Sequence, residues 1–274
     1  MWLRYIIFRS PFAWLSKSKK YNLKVYGTEN VPPYGPLIVV SNHQTKIDII
    51  AIALALKPVL IHTHIWPWAK TEIARGEEGI IGWFLWKLFG VIPIDRTAEG
   101  LELRKAIKQS HKYLSRNEAI LVYPEGTRQH DGILGKFHWG VADLASSLPH
   151  VPILPVAVWW DHGPDGGVKV KIGQPFYLEN KDIKQELLKQ IGKKIEDDIE
   201  PTFGKRFESL QEWAANLPKN KKGRGLLNDA VKKIVGFYQS VDFEKVSRMA
   251  KESASETIRN KLLELLPEGW KKVE

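Results

Sequence analysis

His43 and Asp48 stand five residues apart in the run Ser41-Asn42-His43-Gln44-Thr45-Lys46-Ile47-Asp48, just after an apolar stretch over residues 36–40. An imidazole and a carboxylate at this spacing can do acid–base chemistry. The carboxylate accepts the Nδ1–H, and Nε2 is left to take a proton from an alcohol as it attacks a carbonyl. The chain has no cysteine and no serine in a nucleophile-elbow pattern, so the attacking group is read as the substrate's own hydroxyl. On one continuous helix the two side chains would point about 140° apart and could not meet. The pair therefore needs His43 in the turn that leaves a strand and Asp48 in the first turn of the following helix. Thr45 is then the expected N-cap, because Thr-x-x-Asp has the capping-box form. A plainer reading also fits, in which Asp48 only caps the helix and His43 is a satisfied turn residue.

Two further runs carry cations to the same kind of place. Tyr123-Pro124-Glu125-Gly126-Thr127-Arg128 follows an apolar strand-like stretch, and Gly90-Val91-Ile92-Pro93-Ile94-Asp95-Arg96 ends in a second arginine. Gly126 lets the backbone approach a ligand closely, and Arg128 offers a planar fork for two phosphate oxygens. Taken singly, each arginine reads as a surface or interdomain ion pair with Asp95 or Glu125; beside His43 and Asp48 that preference reverses towards a phosphorylated substrate. His62-Thr63-His64 puts two imidazoles on one strand face. Without an acidic or further histidine companion they are read as core or cleft residues, and no metal site is expected.

The elements that must position these groups read as an α/β fold, a mostly parallel or mixed sheet covered by helices. Strands are expected over residues 23–27, 37–40, 59–64, 119–123, 153–159 and 168–172, and helices over 48–56 and 101–114. Sites in such folds lie beyond the carboxyl ends of the strands, where the first two motifs fall. From residue 182 the texture becomes lysine-rich and helical, with apolar stripes at Ile183, Leu187, Ile191, Ile195 and Ile199, then at Phe203, Phe207, Leu210 and Ala214, then at Leu226, Ala230, Ile234 and Tyr238. The division expected is a basic amphipathic membrane-associating segment over 1–22, a main domain over 23–201 and a helical extension over 202–274.

With 274 residues the chain can bury a sizeable core. Its 41 basic and 31 acidic residues leave a net charge of +10, and it holds 11 tryptophans. Residues 1–25 contain Arg4, Arg9, Lys17, Lys19, Lys20 and Lys24 and no acid, interleaved with Trp2, Phe8, Phe12 and Trp14. That is the composition of a segment lying in an anionic headgroup layer, although a first helix packed on the body with a basic edge has the same pattern. Trp66 and Trp68 are further candidates for the interface. The longest uncharged apolar runs, 49–56 and 79–86, fall short of the roughly 20 residues that a bilayer crossing needs. No nucleic-acid-binding motif accompanies the charge, so a nucleic-acid partner is not expected.

The motifs together carry a family resemblance. Asn42-His43-x4-Asp48, the run ending at Arg96, Pro124-Glu125-Gly126-Thr127-Arg128 and Val151-Pro152-Ile153-Leu154-Pro155-Val156 occur in the order of the four motifs of the glycerolipid acyltransferases, and the chain most resembles the 1-acylglycerol-3-phosphate (lysophosphatidic acid) acyltransferases over about residues 23–200. The resemblance implies transfer of a fatty acyl group from acyl-CoA or acyl carrier protein to the free hydroxyl of a lysophospholipid, most simply giving phosphatidic acid in phospholipid biosynthesis, with no further cofactor. Glycerol 3-phosphate or another lysolipid as acceptor, and a non-catalytic lipid-binding protein that kept the fold, are the alternatives. His43 matches the family's catalytic base and Asp48 its partner; Arg96, Glu125, Gly126, Thr127 and Arg128 match its acceptor-binding positions, and Lys70 resembles the lysine that precedes the second motif. Lys136, Phe137 and Gly140 resemble the segment after the third motif, and residues 79–90 read either as an acyl-chain slot or as an ordinary buried helix. The location implied is cytoplasmic and peripheral, on the inner face of the cell membrane. Tyr123 and Gln129 stand where Phe and Ser are usual, and the region after about residue 202 has no counterpart in the family.

Overall fold

The computed structural model describes residues 22–45, 47–56, 63–71, 90–94, 100–130, 132–163, 166–178, 232 and 243–272. The basic segment over 1–22 lies outside these apart from its last residue, as do His62, Arg96, the apolar run 79–89 and the three lysine-rich stripes from residue 183 to 238.

Seven strands form one sheet: β1 Lys24–Tyr26, β2 Leu37–Ser41, β3 Ile65–Lys70, β4 Ile92–Ile94, β5 Ala119–Val122, β7 Ile153–Asp161 and β8 Gly167–Ile172. Their order is β1-β8-β7-β2-β5-β3-β4, and a small second sheet pairs β6 Ile133–Leu134 with β9 Lys271–Lys272. Strands β7, β2, β5, β3 and β4 are parallel to one another, whereas β8 runs antiparallel to β7 and takes β1 with it. The sheet is thus mixed but mostly parallel. Strand β2 at its centre is buried at every position, which is why it reads as an unbroken apolar run rather than an alternating one.

Alternation along the strands divides the interior into two cores. Ile38 and Val40 face one side with Ile120, Val122 and Ile153, whereas Leu37 and Val39 face the other with Leu121, Leu154 and Val156. Helix α1, Asp48–Ala55, covers the second side with Ala51, Ile52 and Ala55. Helices α2, Leu101–Leu114, α3, Gly140–Ser147, and α4, Phe243–Leu263, cover the first. Helix α2 turns Ala106, Ser110 and Leu114 inward at the four-residue spacing of one helical face and leaves Arg104, Lys105, Lys108 and Lys112 exposed.

The strands expected over 23–27, 37–40, 119–123, 153–159 and 168–172 are present. Of the one expected over 59–64, residues 59–62 lie outside the described residues. Residues 63 and 64 lie outside any strand, and the strand is Ile65–Lys70, in the run Ile-Trp-Pro-Trp-Ala-Lys. It pairs with β5 over Ile65, Trp66 and Pro67 and with β4 over Trp68, Ala69 and Lys70, so Pro67, which has no N–H to give, stands where the pairing changes sides. Trp66 and Trp68 are half-buried and pack against the first core. The Trp66 indole N–H donates to Glu118 Oε2 at 2.6 Å and its ring stacks on Tyr113 at 3.8 Å, while Trp68 donates to Ser110 Oγ at 2.9 Å.

The chain divides into two compact units, Met1–Leu178 with Lys251–Glu274, and Glu179–Ala250. The helical extension expected from residue 202 is therefore split, with its last segment belonging to the first unit. The cause is a stripe on and just beyond α4, Ala254, Ile258, Leu262 and Leu266, which buries into the first core at intervals of four residues. After it, Trp270 packs on the same core, and the Lys271 N–H donates to the Gly132 carbonyl as β9 joins β6. Among the described residues no helix is long and apolar enough to cross a membrane.

Leu262 is fully buried, so Leu262→Ala is expected to lower the free energy of unfolding by about 2–5 kcal/mol. Leu101 is 62% exposed, and Leu101→Ala should change it by less than about 0.5 kcal/mol. Urea midpoints of the two variants against the parent decide it.

Candidate active site

Parallel strands deliver their carboxyl ends to one edge of the sheet. Ser41 ends β2, Lys70 ends β3, Ile94 ends β4 and Val122 ends β5, and the residues with chemistry follow or occupy those ends. Asn42 is the first residue beyond β2. Its Nδ2–H donates to the Val158 carbonyl at 2.7 Å and its Oδ1 accepts the Val158 N–H at 2.8 Å, so the buried side chain adds a rung to the β2–β7 ladder after the main chain has left it. His43 leaves the sheet from this fixed point.

The expected meeting of His43 and Asp48 across the turn is found. His43 Nδ1 lies 2.9 Å from Asp48 Oδ2. That oxygen also accepts the main-chain N–H groups of Gln44 at 2.7 Å and Thr45 at 2.8 Å, and Oδ1 accepts the Thr45 hydroxyl at 2.6 Å. A carboxylate engaged by so many donors acts as an acceptor towards the imidazole as well, so Nδ1 carries the proton and Nε2 offers a lone pair. Asp48 is buried, whereas the His43 side chain is 23% exposed, open enough to meet a substrate.

The cap differs in detail from the expectation. Asp48 reaches back to the Thr45 N–H as a capping box requires, but α1 begins at Asp48 with Ile47 as its N-cap. The Thr45 hydroxyl is spent on the Asp48 carboxylate and on the Ile47 N–H at 3.2 Å, and so it serves the acid–base pair as much as the helix.

The second motif packs against this turn. Tyr123 stacks on the His43 ring, with centroids 4.3 Å apart and planes 24° apart. Its hydroxyl is buried with no hydrogen-bond partner among the described residues, and burial, helped by the charge of Asp48, pushes its ionisation well up, so the ring stays neutral. The Gln129 N–H donates to the His43 carbonyl at 2.8 Å and closes the Glu125–Arg128 loop onto the histidine. Gly126 holds φ at 69° as its N–H donates to the Tyr123 carbonyl at 3.0 Å. The left-handed turn is thus a requirement for glycine separate from any close approach to a ligand.

Glu125 is placed differently from an acceptor-facing carboxylate. It is 3% exposed, and both oxygens hold main chain: Oε2 accepts the His43 N–H and Oε1 the Gly135 N–H, each at 2.7 Å. Burial raises its pKa to about 7; the two N–H donors and Arg259 pull it down, while Asp48 adds to the rise. Thr127 and Arg128 are exposed at the tip of the same loop, with the Thr127 hydroxyl accepting from Gln129 Nε2 at 3.1 Å. Lys70 is exposed at the end of β3, the strand next to β5. Arg96 follows β4 and lies outside the described residues.

Beyond the second motif, Lys136 is exposed, Phe137 is in the core, and Gly140 opens α3 where an added Cβ would meet Trp68 and Leu103 at 3.1 Å. Among the described residues no three His, Cys, Asp or Glu side chains group as metal ligands would. The positions of Asn42, Gln129 and Arg259 went unread in the sequence. The motif itself pointed to Asn42, but Gln129 acts through its main chain and Arg259 through a distant helix.

A family model described as acyltransferase matches residues 22–159. The 1-acyl-sn-glycerol-3-phosphate acyltransferase alpha of Ovis aries is 34% identical over 137 residues, which are 50% of this chain and 44% of that protein. The 1-acyl-sn-glycerol-3-phosphate acyltransferase of Bacillus subtilis is 28% identical over 168 residues, 58% of this chain and 76% of the relative. The chain thus spans under half the length of the first of these. Among solved structures, the 1-acyl-sn-glycerophosphate (LPA) acyltransferase PlsC from Thermotoga maritima aligns with a TM-score of 0.45 at 22% identity, covering 72% of this chain and 82% of the other.

The raised pKa of Glu125 has a measurable sign. Between its ordinary value of 4.5 and about 7 the native state keeps a proton that the unfolded chain has lost, so this group's contribution to stability falls as pH rises through that window, by about 3 kcal/mol in all. Glu125→Gln should remove this slope. Urea unfolding of both proteins from pH 4 to 8 reads it as their difference, and parallel curves would contradict it.

Proposed function

Because the chain belongs to the acyltransferase family, we propose that it transfers a fatty acyl group from a thioester, on coenzyme A or acyl carrier protein, to the free hydroxyl of 1-acyl-sn-glycerol 3-phosphate, giving phosphatidic acid. The observation that carries the reading is the His43–Asp48 pair, with Nδ1 tied to a carboxylate and Nε2 free to act at the edge of the sheet. Nε2 takes the proton of the acceptor hydroxyl as that oxygen attacks the thioester carbonyl. The tetrahedral oxyanion collapses, the C–S bond breaks, and the thiolate leaves with the proton that the imidazolium returns. Asp48 stabilises the imidazolium and keeps the ring in register without being protonated.

No enzyme nucleophile is needed, because the acceptor supplies one. No cofactor is needed either, because the thioester brings the activation. Arg128 and Lys70, exposed on the same edge, and Arg96 after β4 supply the positive charge that a phosphate monoester requires, with arginine offering the bidentate fork. Glu125 enters as a support of the histidine loop, and Gly126 and Thr127 shape the turn that carries Arg128. The acceptor and the product are bilayer lipids while the thioester donors are cytoplasmic, so the protein is read as peripheral on the inner face of the cell membrane. Its basic, aromatic first segment is suited to anionic lipid.

Purified protein given lysophosphatidate with acyl-CoA or acyl carrier protein is expected to release thiol and form phosphatidic acid by mass spectrometry. His43→Ala should lower kcat by about 10²–10⁴-fold. Unchanged turnover in that variant would remove the mechanism, and preferential acylation of glycerol 3-phosphate or another lysolipid would reassign the acceptor.

A further inference from the structure

Arg259 is a charged side chain that the proposed reaction does not use, yet it is only 7% exposed. A buried guanidinium is held by partners or it is not kept. Its Nη2–H donates to the Leu134 carbonyl at 2.9 Å, while Nη1 lies 3.7 Å from the half-exposed Glu256. The Leu134 carbonyl and the Gly135 N–H are two ends of one peptide group, and that N–H is the donor to Glu125 Oε1. The other oxygen of Glu125 holds the His43 N–H. A guanidinium on one side of the peptide and a carboxylate on the other polarise it in the same sense, so each hydrogen bond strengthens the next. The line runs from α4 to the main chain of the residue that bears Nε2, and α4 lies well outside residues 22–159, where the family model matches.

We infer that Arg259 is a positioning residue for acyl transfer: through the Leu134–Gly135 peptide it fixes the Glu125 carboxylate and thereby the main chain of His43. The inference rests on the reading of His43 as base. The C-terminal helix is then a part of the active site that touches no substrate. Among the described residues, the charged and titratable groups acting on Glu125 are Asp48, the first residue of α1, and Arg259 from α4, with His43 bonded through its main chain. Without Arg259, Glu125 takes up a proton more readily near neutral pH. The protonated carboxyl has a donor where one N–H needs an acceptor, and the histidine loop loosens.

The test uses the full chain with Arg259→Gln and Arg259→Lys. Displacement of a catalytic group is expected to act on kcat, so Arg259→Gln should lower kcat at pH 7 about tenfold with KM for both substrates within about twofold. It should also move the acidic limb of the kcat profile to higher pH. Arg259→Lys keeps the charge but loses the fork, and should show a smaller change of the same kind. The main-chain amide resonance of His43, followed by NMR, should titrate with Glu125 in the parent and at higher pH in both variants. Wild-type kcat profiles and His43 titrations in the folded variants overturn the proposal. A lowered melting temperature with both of these unchanged also overturns it, by making Arg259 a residue of the fold alone. If Arg259→Gln does not fold, the Lys variant decides by the same two readouts. If the parent acylates none of the acceptors, the proposed reaction fails, and the His43 titration still decides what Arg259 does.

Discussion

A carboxylate taken out of water must be given donors, and the burial of Glu125 organises the edge of the sheet that carries His43. Its two oxygens are met by N–H groups from the turn after β2 and from Gly135, just after β6, and each of those N–H groups would be unsatisfied without it. The stretches around residues 125 and 135 and the distant turn at residue 43 are therefore held by one side chain. The raised pKa measures how much of the cost of burial remains after the donors and Arg259 have offset it.

The acid–base pair obeys the same rule on a smaller scale. Asp48 is buried and accepts from the His43 ring, two main-chain N–H groups and the Thr45 hydroxyl, so it has no freedom to turn away from the imidazole. Tyr123 closes the other face of the ring. With its N–H on Glu125 and its carbonyl on Gln129, His43 is fixed in main chain and side chain alike, while its ring keeps an open side. Preorganisation of this kind belongs to the fold, because every anchor is a group of the protein itself.

The parts of this arrangement that depend on periodicity and on short sequence distance were legible in the sequence. The central strands declare themselves as apolar runs because both faces are buried, and the turn joining His43 to Asp48 follows from helical geometry. What escaped depends on contacts with main chain or on distant partners. Glu125 has the chemistry of a ligand-binding acid, and only the fold discloses that two N–H groups occupy it. The indole partners of Trp66 and Trp68 are Glu118 and Ser110, 52 and 42 residues away along the chain. The return of α4 to the core was hidden because its buried stripe is thin in large apolar residues, with Ala254, Ser255 and Arg259 beside Ile258 and Leu262, in a segment that otherwise reads as solvated charge.

Asn42 carries a consequence for how the loop can vary. A primary amide presents the same donor and acceptor as a peptide unit, so Asn42 acts as a surrogate stretch of backbone: the sheet gains one more pair of bonds to Val158 while the real backbone is released to turn. The position therefore requires both halves of the amide at once. An aspartate there would set an oxygen against the Val158 carbonyl, and a leucine would leave two main-chain groups of β7 bare in the interior. The point at which the turn bearing His43 departs from the sheet is thus defined chemically, by a side chain imitating the chain itself.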